Sequence, residues 1–186
     1  MINHIRKFVE INDSEIPILN NYLKRIDLKK KEFLIKEGQI CNRLYFVEKG
    51  CLRMYFINDK GIEQIMQFAL ESWWISDYYS YIDNKPSDYY IQSIEKSEII
   101  SIDMESYDLL IQELPKMEGY FRQVMLKAVA QSQLRIKLHF DLSKEELYKL
   151  FTTSFPDFAQ RVPQYMLASY LDLTPEYVSE LRKKKL

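Results

Sequence analysis

The stretch Val162–Lys183, VPQYMLASYLDLTPEYVSELRK, decides how this chain is read. Its apolar or small positions are Leu167, Ala168, Leu171, Leu173, Val178 and Leu181. That spacing sets two short helices face to face across a tight turn at Asp172, and Ala168 is small enough for the second helix to cross close over the first. Thr174 is placed to cap the second helix, and Pro175 falls in its first turn, where a missing N–H costs nothing. The expectation is a helix-turn-helix, whose second helix enters the DNA major groove. The turn departs from the usual chemistry. Positive φ favours Gly, and Asp172 accepts it less readily. An ordinary helical hairpin inside a core is the competing reading.

Outward from that stretch, composition sets bounds. The 186 residues are 47% hydrophobic and 14% aromatic, which supplies a real core and excludes the disordered class. A formal net charge of −1 argues against a surface coated in basic charge, while leaving room for a local basic patch. Cys41 and Cys51 are the only cysteines, with no CxxC, so one chain cannot build a four-cysteine zinc site or an iron–sulfur cluster; two buried thiols are expected. No apolar run approaches the roughly 20 residues that span a bilayer, and Met1–Val9 has no signal-like core. A soluble, cytoplasmic protein is expected.

Upstream, Ile5, Phe8, Val9, Ile16, Leu19, Leu23 and Ile26 recur at three- and four-residue steps, which predicts helix from Ile2 to Leu28 with a restart at Pro17. At Lys31 the period changes. Phe33–Ile35, Leu44–Val47, Leu52–Ile57, Ile65–Phe68, Tyr89–Ile94 and Ile99–Ile102 read as short strands, punctuated by turn signals at Gly38, Gly50 and Asn58–Gly61. Short, closely spaced strands imply an antiparallel roll. Asp103 caps a helix that stops before Pro115, and the longest helical pattern then runs from Lys116 to Phe140. Tyr120, Val124, Gln131, Leu134 and Leu138 form one near-heptad stripe, interrupted by Lys127, that suits a coiled-coil dimer contact or packing on the roll. Ser143 and Glu146 have capping-box spacing, placing a hinge near Asp141, and Pro156 breaks the helix that follows. The fold class expected is α+β. Residues 1–115 form an N-terminal antiparallel β-roll with flanking helices, 116–140 a dimerisation helix and 141–186 an all-α DNA-binding domain.

Roll, long helix and helix-turn-helix in that order resemble the Crp/Fnr superfamily of bacterial transcription regulators. The resemblance is carried by Lys36-Glu37-Gly38-Gln39, by Leu44-Tyr45-Phe46-Val47-Glu48-Lys49-Gly50 and by the hairpin Asn58-Asp59-Lys60-Gly61 with the strand after it. It spans about Leu28 to Arg182. It implies a cyclic-nucleotide-binding-like jelly roll, a homodimer, a palindromic operator, RNA polymerase as a possible partner and no enzyme activity; no nucleophile–base pair, metal cluster or phosphate loop is legible. Members that bind cyclic AMP use a Gly-Glu pair opening a short helix and an Arg-Ser or Arg-Thr pair before the next strand. Here Ser76-Asp77 and Ser87-Asp88 stand in those places, so an acid replaces the arginine that would neutralise a phosphate, and Lys85 is a poor bidentate substitute. Cyclic AMP is not expected to bind. Nor is haem, since His4 and His139 lie off the roll, or a cupin metal.

Aromatic residues crowd the cassette. Trp74, Tyr78, Tyr89 and Tyr90, with Ser76 and Asp77, either line a pocket for an unknown planar effector or fill the space as core. For DNA, Gln164, Thr174, Glu176, Tyr177, Glu180, Arg182, Lys183 and Lys184 are the candidates: Glu176 to accept from a cytosine amino group, Thr174 to touch a phosphate or base edge, Gln164 and the basic tail to hold phosphates. Arg122, Lys127, Arg135 and Lys137 read as a solvated face. Relatives commonly follow the recognition helix with a β-hairpin wing. None is expected here, because the sequence stops at Leu186. A regulatory module that contacts proteins or small molecules rather than DNA is the alternative.

Overall fold

The computed structural model describes residues 1–183. In chain order these contain α1 (Ile2–Ile5), a 3-10 turn (Asp13–Glu15), α2 (Ile16–Tyr22), β1 (Lys24–Leu28), β2 (Phe33–Ile35), β3 (Arg43–Lys49), β4 (Leu52–Ile57), β5 (Glu63–Ala69), β6 (Trp74–Ile75), α3 (Tyr78–Asp83), β7 (Tyr90–Ser93) and β8 (Ser97–Asp103). Six helices follow: α4 (Met104–Glu113), α5 (Lys116–Asp141), α6 (Lys144–Ser154), α7 (Pro156–Arg161), α8 (Gln164–Tyr170) and α9 (Pro175–Lys183). The chain forms two compact units, one of Met1–Phe56 with Gln67–Leu126, the other of Ile57–Met66 with the chain from Lys127 on.

The first unit is an antiparallel roll. Its strands lie in two four-stranded sheets of order β1-β8-β3-β6 and β2-β7-β4-β5. The run Leu44-Tyr45-Phe46-Val47 is continuously apolar because both faces of the first sheet are covered. Tyr45 and Val47, with Leu28, Ile35, Leu52, Ile75, Ile91 and Ile99, fill the interior. Leu44 and Phe46, on the other face, pack with Ile100, Ile102 and Trp74 against Ile5, Leu19, Leu110, Met117, Tyr120 and Phe121 from the helices. The tight turn into β4 needs Gly50. Its φ is 104°, and a Cβ there would lie 2.7 Å from the backbone Cα of Ser97.

The helical expectation for Ile2–Leu28 holds for Ile2–Ile5 and Ile16–Tyr22, with the restart near Pro17, and fails between them and after Tyr22. Lys24–Leu28 is β1, paired with β8 in register from Lys24–Ser101 to Leu28–Ser97. Ile26 and Leu28 satisfy a period of two as well as the helical step from Leu23, and five backbone pairings with β8 select the strand. The strand β6 is not among those read from the sequence, whereas α3 begins after Asp77, where the resemblance places the short helix of the cassette. Elsewhere the strands match within a residue or two, and the caps are as expected. Asp103 accepts from Ser106 N at 2.9 Å, and Ser143 with Glu146 closes a reciprocal capping box.

The second unit is built on Leu147, Tyr148, Ala159, Leu167, Ala168, Leu171, Leu173, Val178 and Leu181, which form one buried cluster. All six apolar positions singled out in Val162–Lys183 belong to it.

Candidate nucleic-acid interface and effector roll

Helices α8 and α9 meet as the sequence requires. Leu167 and Ala168 are fully buried, and the chain reverses where Leu173 N–H donates to Ala168 O at 2.9 Å. Asp172 takes φ 54°, the left-handed conformation the turn demands of it. Lys144, at the start of α6, donates to the Asp172 carbonyl at 2.9 Å and so braces that turn from outside the motif. Sequence reading missed this lysine, because nothing local links the two positions. Thr174 Oγ1 accepts from Tyr177 N–H at 3.2 Å and caps α9. Glu176 lies in the first turn of α9 and Arg182 and Lys183 in the last, each favourable to the helix dipole.

Of the candidate DNA contacts, Thr174, Glu176, Glu180, Arg182 and Lys183 are exposed. Tyr177 is half-buried and packs against the unit's core, so its ring is partly committed to holding α9. Gln164 is also only half exposed. Its Nε2 reaches Ala159 O at 3.5 Å, and its Oε1 is sealed from solvent with no partner among the described residues. An open cleft of about 330 Å³ brings Gln164 together with Arg182 and Lys183. Lys184 lies outside the described residues.

The stripe proposed for dimerisation divides. Tyr120 is fully buried in its own roll, where its hydroxyl accepts from Trp74 Nε1 at 2.9 Å and meets His4 Nδ1 at 2.9 Å. It therefore cannot lie at a seam. Val124 packs on the same cluster and Leu138 on the core of the second unit, while Gln131 and Leu134 are exposed. The exposed apolar side chains on α5 include a second row, Leu126, Val129, Ile136 and Phe140, which Gln133 completes at heptad a and d spacing. Sequence reading missed this row because two rows on α5 have heptad spacing, and only the roll shows which of them its own core takes.

The six effector-pocket candidates do not converge. Trp74 and Tyr78 pack in the helix-side cluster of the first sheet. Tyr90 stacks on Tyr55 at 5.0 Å and Tyr89 meets Phe56 edge-on, both pairs on the second sheet. Ser76 Oγ donates to Arg43 O at 2.8 Å. Asp77 is buried and caps α3, its Oδ1 accepting from Tyr79 N at 3.1 Å and Ser80 N at 3.2 Å. Those N–H groups at the helix start are what a bound phosphate would use, and a carboxylate already occupies them. Ser87 is buried and bonded to Tyr89, Asp88 is exposed, and Lys85 pairs with Asp83 at 3.1 Å and lies over the Tyr79 ring. A cyclic phosphate does not fit this donor set. Burial pushes Tyr78 up to about 12, with Cys41 adding to the rise, so the ring stays neutral. Cys41 and Cys51 are buried thiols that form no disulfide.

Comparison with known proteins places these parts. The model of the cyclic nucleotide-binding domain matches residues 25–113. The "Anaerobic regulatory protein" of Pasteurella multocida is 25% identical over 183 residues, covering 92% of this chain and 66% of that protein. The "Fumarate and nitrate reduction regulatory protein" of Vibrio cholerae is 28% identical over 183 residues, covering 92% of this chain and 72% of that protein. Among solved structures, the catabolite activator protein of Thermus thermophilus matches with a TM-score of 0.57 at 18% identity, over 94% of this chain and 83% of that one. In sequence and in the order of its parts the chain is similar to the Crp/Fnr regulators. It spans about two thirds of the length of the first of these relatives. It has the roll and, after α5, the C-terminal helix pair, and it carries Ser76-Asp77 and Ser87-Asp88 in the cassette. No helix among the described residues is long and apolar enough to cross a membrane.

Proposed function

We propose that this chain is a sequence-specific, DNA-binding transcription regulator and not an enzyme. It acts in the cytoplasm as a homodimer joined along α5 and reads a palindromic operator. One observation carries the reading. The apolar residues of α8 and α9 are consumed in one buried cluster, which leaves Thr174, Glu176, Glu180, Arg182 and Lys183 exposed on a capped helix. In this reading Glu176 accepts from a base edge in the major groove, and Arg182 and Lys183 hold phosphates. Gln164, which shares their cleft, contributes a contact to the backbone. Regulation works by changing the relation of the two recognition helices, because the DNA fixes half-site separation. An effector drives that change only by binding the two arrangements unequally, and here it is not cyclic AMP. RNA polymerase is the protein partner such a regulator would meet.

Selection of bound sequences from a randomised DNA pool, followed by footprinting, tests this. A two-fold symmetric motif is the expected result. Recovery of an unenriched pool at low salt refutes it.

A further inference from the structure

Strand β5 lies at the edge of its sheet, so alternate N–H and C=O groups on its outer side have no neighbouring strand. At two residues a single hydroxyl serves both. Ser169 Oγ, on α8, donates to Glu63 O at 2.9 Å and accepts from Ile65 N–H at 3.0 Å. Between them, Gln64 Nε2 donates to the Ser169 carbonyl at 2.6 Å. At the next residue the Met66 carbonyl accepts from Arg135 of α5, whose guanidinium lies 5.1 Å from the ring centre of Tyr170. Four consecutive hairpin residues, Glu63 to Met66, are thus clasped by α8 or by the second half of α5, all within the second compact unit. The hairpin is itself braced, since Asn58 Oδ1 accepts from both Lys60 N and Ile62 N at 3.0 Å.

We infer that the β4–β5 hairpin is a positioning element for the DNA-reading helix pair, with Ser169 as the residue that joins them. This rests on the DNA-binding reading above. Ser169 follows the fully buried Leu167 and Ala168 directly, so a force on it is borne by the helix and not absorbed by a loop. The clasp leaves Thr174, Glu176, Glu180, Arg182 and Lys183 exposed, so it sets how the pair is held without covering what the pair reads. Strands β4 and β5 make the hairpin covalently continuous with the strands of the roll, and the hydrogen bonds above join it to α8. The property governed is half-site spacing, because a palindromic site admits only one separation and angle of two recognition helices.

The test uses the full chain with Ser169→Val, Ser169→Thr and Gln64→Ala. Threonine keeps the hydroxyl and valine is its isostere without one. Three quantities are read: amide exchange at Ile65, affinity for a single half-site, and affinity for operators whose half-sites are moved apart one base pair at a time. Ser169→Val is expected to speed exchange at Ile65 about tenfold, the loss of roughly one buried hydrogen bond. It should hold half-site affinity within about twofold and flatten the spacing preference, whereas Ser169→Thr keeps the wild-type profile. Gln64→Ala, which leaves the hydroxyl in place, should flatten the profile partially and stands in if Ser169→Val fails to fold. An unchanged spacing profile in folded Ser169→Val, or in Gln64→Ala if that variant must replace it, overturns the inference. So does a loss in Ser169→Thr equal to that in Ser169→Val. A wild type that selects no DNA sequence fails the DNA-binding reading and takes this inference with it; a wild type with a sharp spacing optimum that the variants share fails the clasp alone.

Discussion

If the dimer forms along the exposed row of α5, changing Val129 and Ile136 together to Asp should abolish it. Leu126, Val129, Ile136 and Phe140 are 59%, 55%, 55% and 85% exposed in the single chain. Covering such side chains against a partner is worth about 1–2 kcal/mol each, scaled from the 1.5–3 kcal/mol for full burial. Two-fold symmetry counts each twice, so the double change removes about 4–8 kcal/mol of apolar burial and also forces carboxylates towards the seam. The dimer dissociation constant should rise at least a thousandfold, taking about 1.4 kcal/mol per decade. Sedimentation at micromolar concentration should then show a monomer. That monomer should stay folded, with a melting temperature that no longer depends on protein concentration, because neither residue belongs to a buried cluster. Val124→Asp should behave oppositely. Val124 packs on the roll's own core, so this change lowers stability before it affects association. A Val129→Asp, Ile136→Asp protein that remains dimeric would refute the reasoning, as would a folded Val124→Asp, Leu134→Asp monomer.

Gly50→Ala should cost about 3 kcal/mol or more and depress the melting temperature sharply, since φ 104° and the close Ser97 backbone strain any side chain; a near-neutral melt contradicts the turn geometry. Glu176→Ala should change the preferred operator sequence at one position by about 1–3 kcal/mol, whereas Arg182→Ala with Lys183→Ala should weaken all sequences alike. The double change should also flatten the slope of log K against log salt by about one unit per lost contact, so binding at two salt concentrations separates the roles. Cyclic AMP and cyclic GMP at about 1 mM should give no saturable calorimetric signal, because Asp77 occupies the helix start where a phosphate would bind; micromolar saturation would overturn that assignment. Asp103 is held below the usual carboxylate range by its hydrogen bonds with Ser106 and by the Arg43 guanidinium. Its depressed folded pKa means its stabilisation is fully present above the unfolded value near 3.9 and fades as pH falls through the folded value. Asp103→Asn should therefore shrink the acid-side loss of stability measured by denaturant melts between about pH 5 and 2.

The helix-turn-helix was the most legible part of the site. Its six apolar positions, the cap at Thr174 and the awkward φ at Asp172 all follow from local sequence, because a short helix pair must bury its stripe and cap its ends within some twenty residues. The dimer face was legible only as a class of feature. Two rows on α5 have heptad character, the one with Tyr120 and the one with Val129. The Tyr120 row does not reach a seam. It is taken by the roll, through contacts with Ile5, Phe46 and Trp74 that lie far away in the chain. The aromatic cassette was ambiguous for a similar reason. Side chains adjacent in sequence, such as Trp74 and Tyr78 against Tyr89 and Tyr90, go to different sheets.

By itself the sequence determined the order of parts, most strands and helix ends, the helix pair that presents Glu176, and the acid at Asp88 where a phosphate-binding arginine would stand. Those are consequences of period, capping and charge, each readable within a few residues. Only the tertiary structure decided that Lys24–Leu28 is a strand, that Tyr120 is core, that Lys144 braces Asp172 and that Ser169 clasps the edge of β5. In each case a short segment has two acceptable local states or faces. The choice is made by hydrogen bonds and burial supplied from residues tens of positions away, and local periodicity carries no information about those.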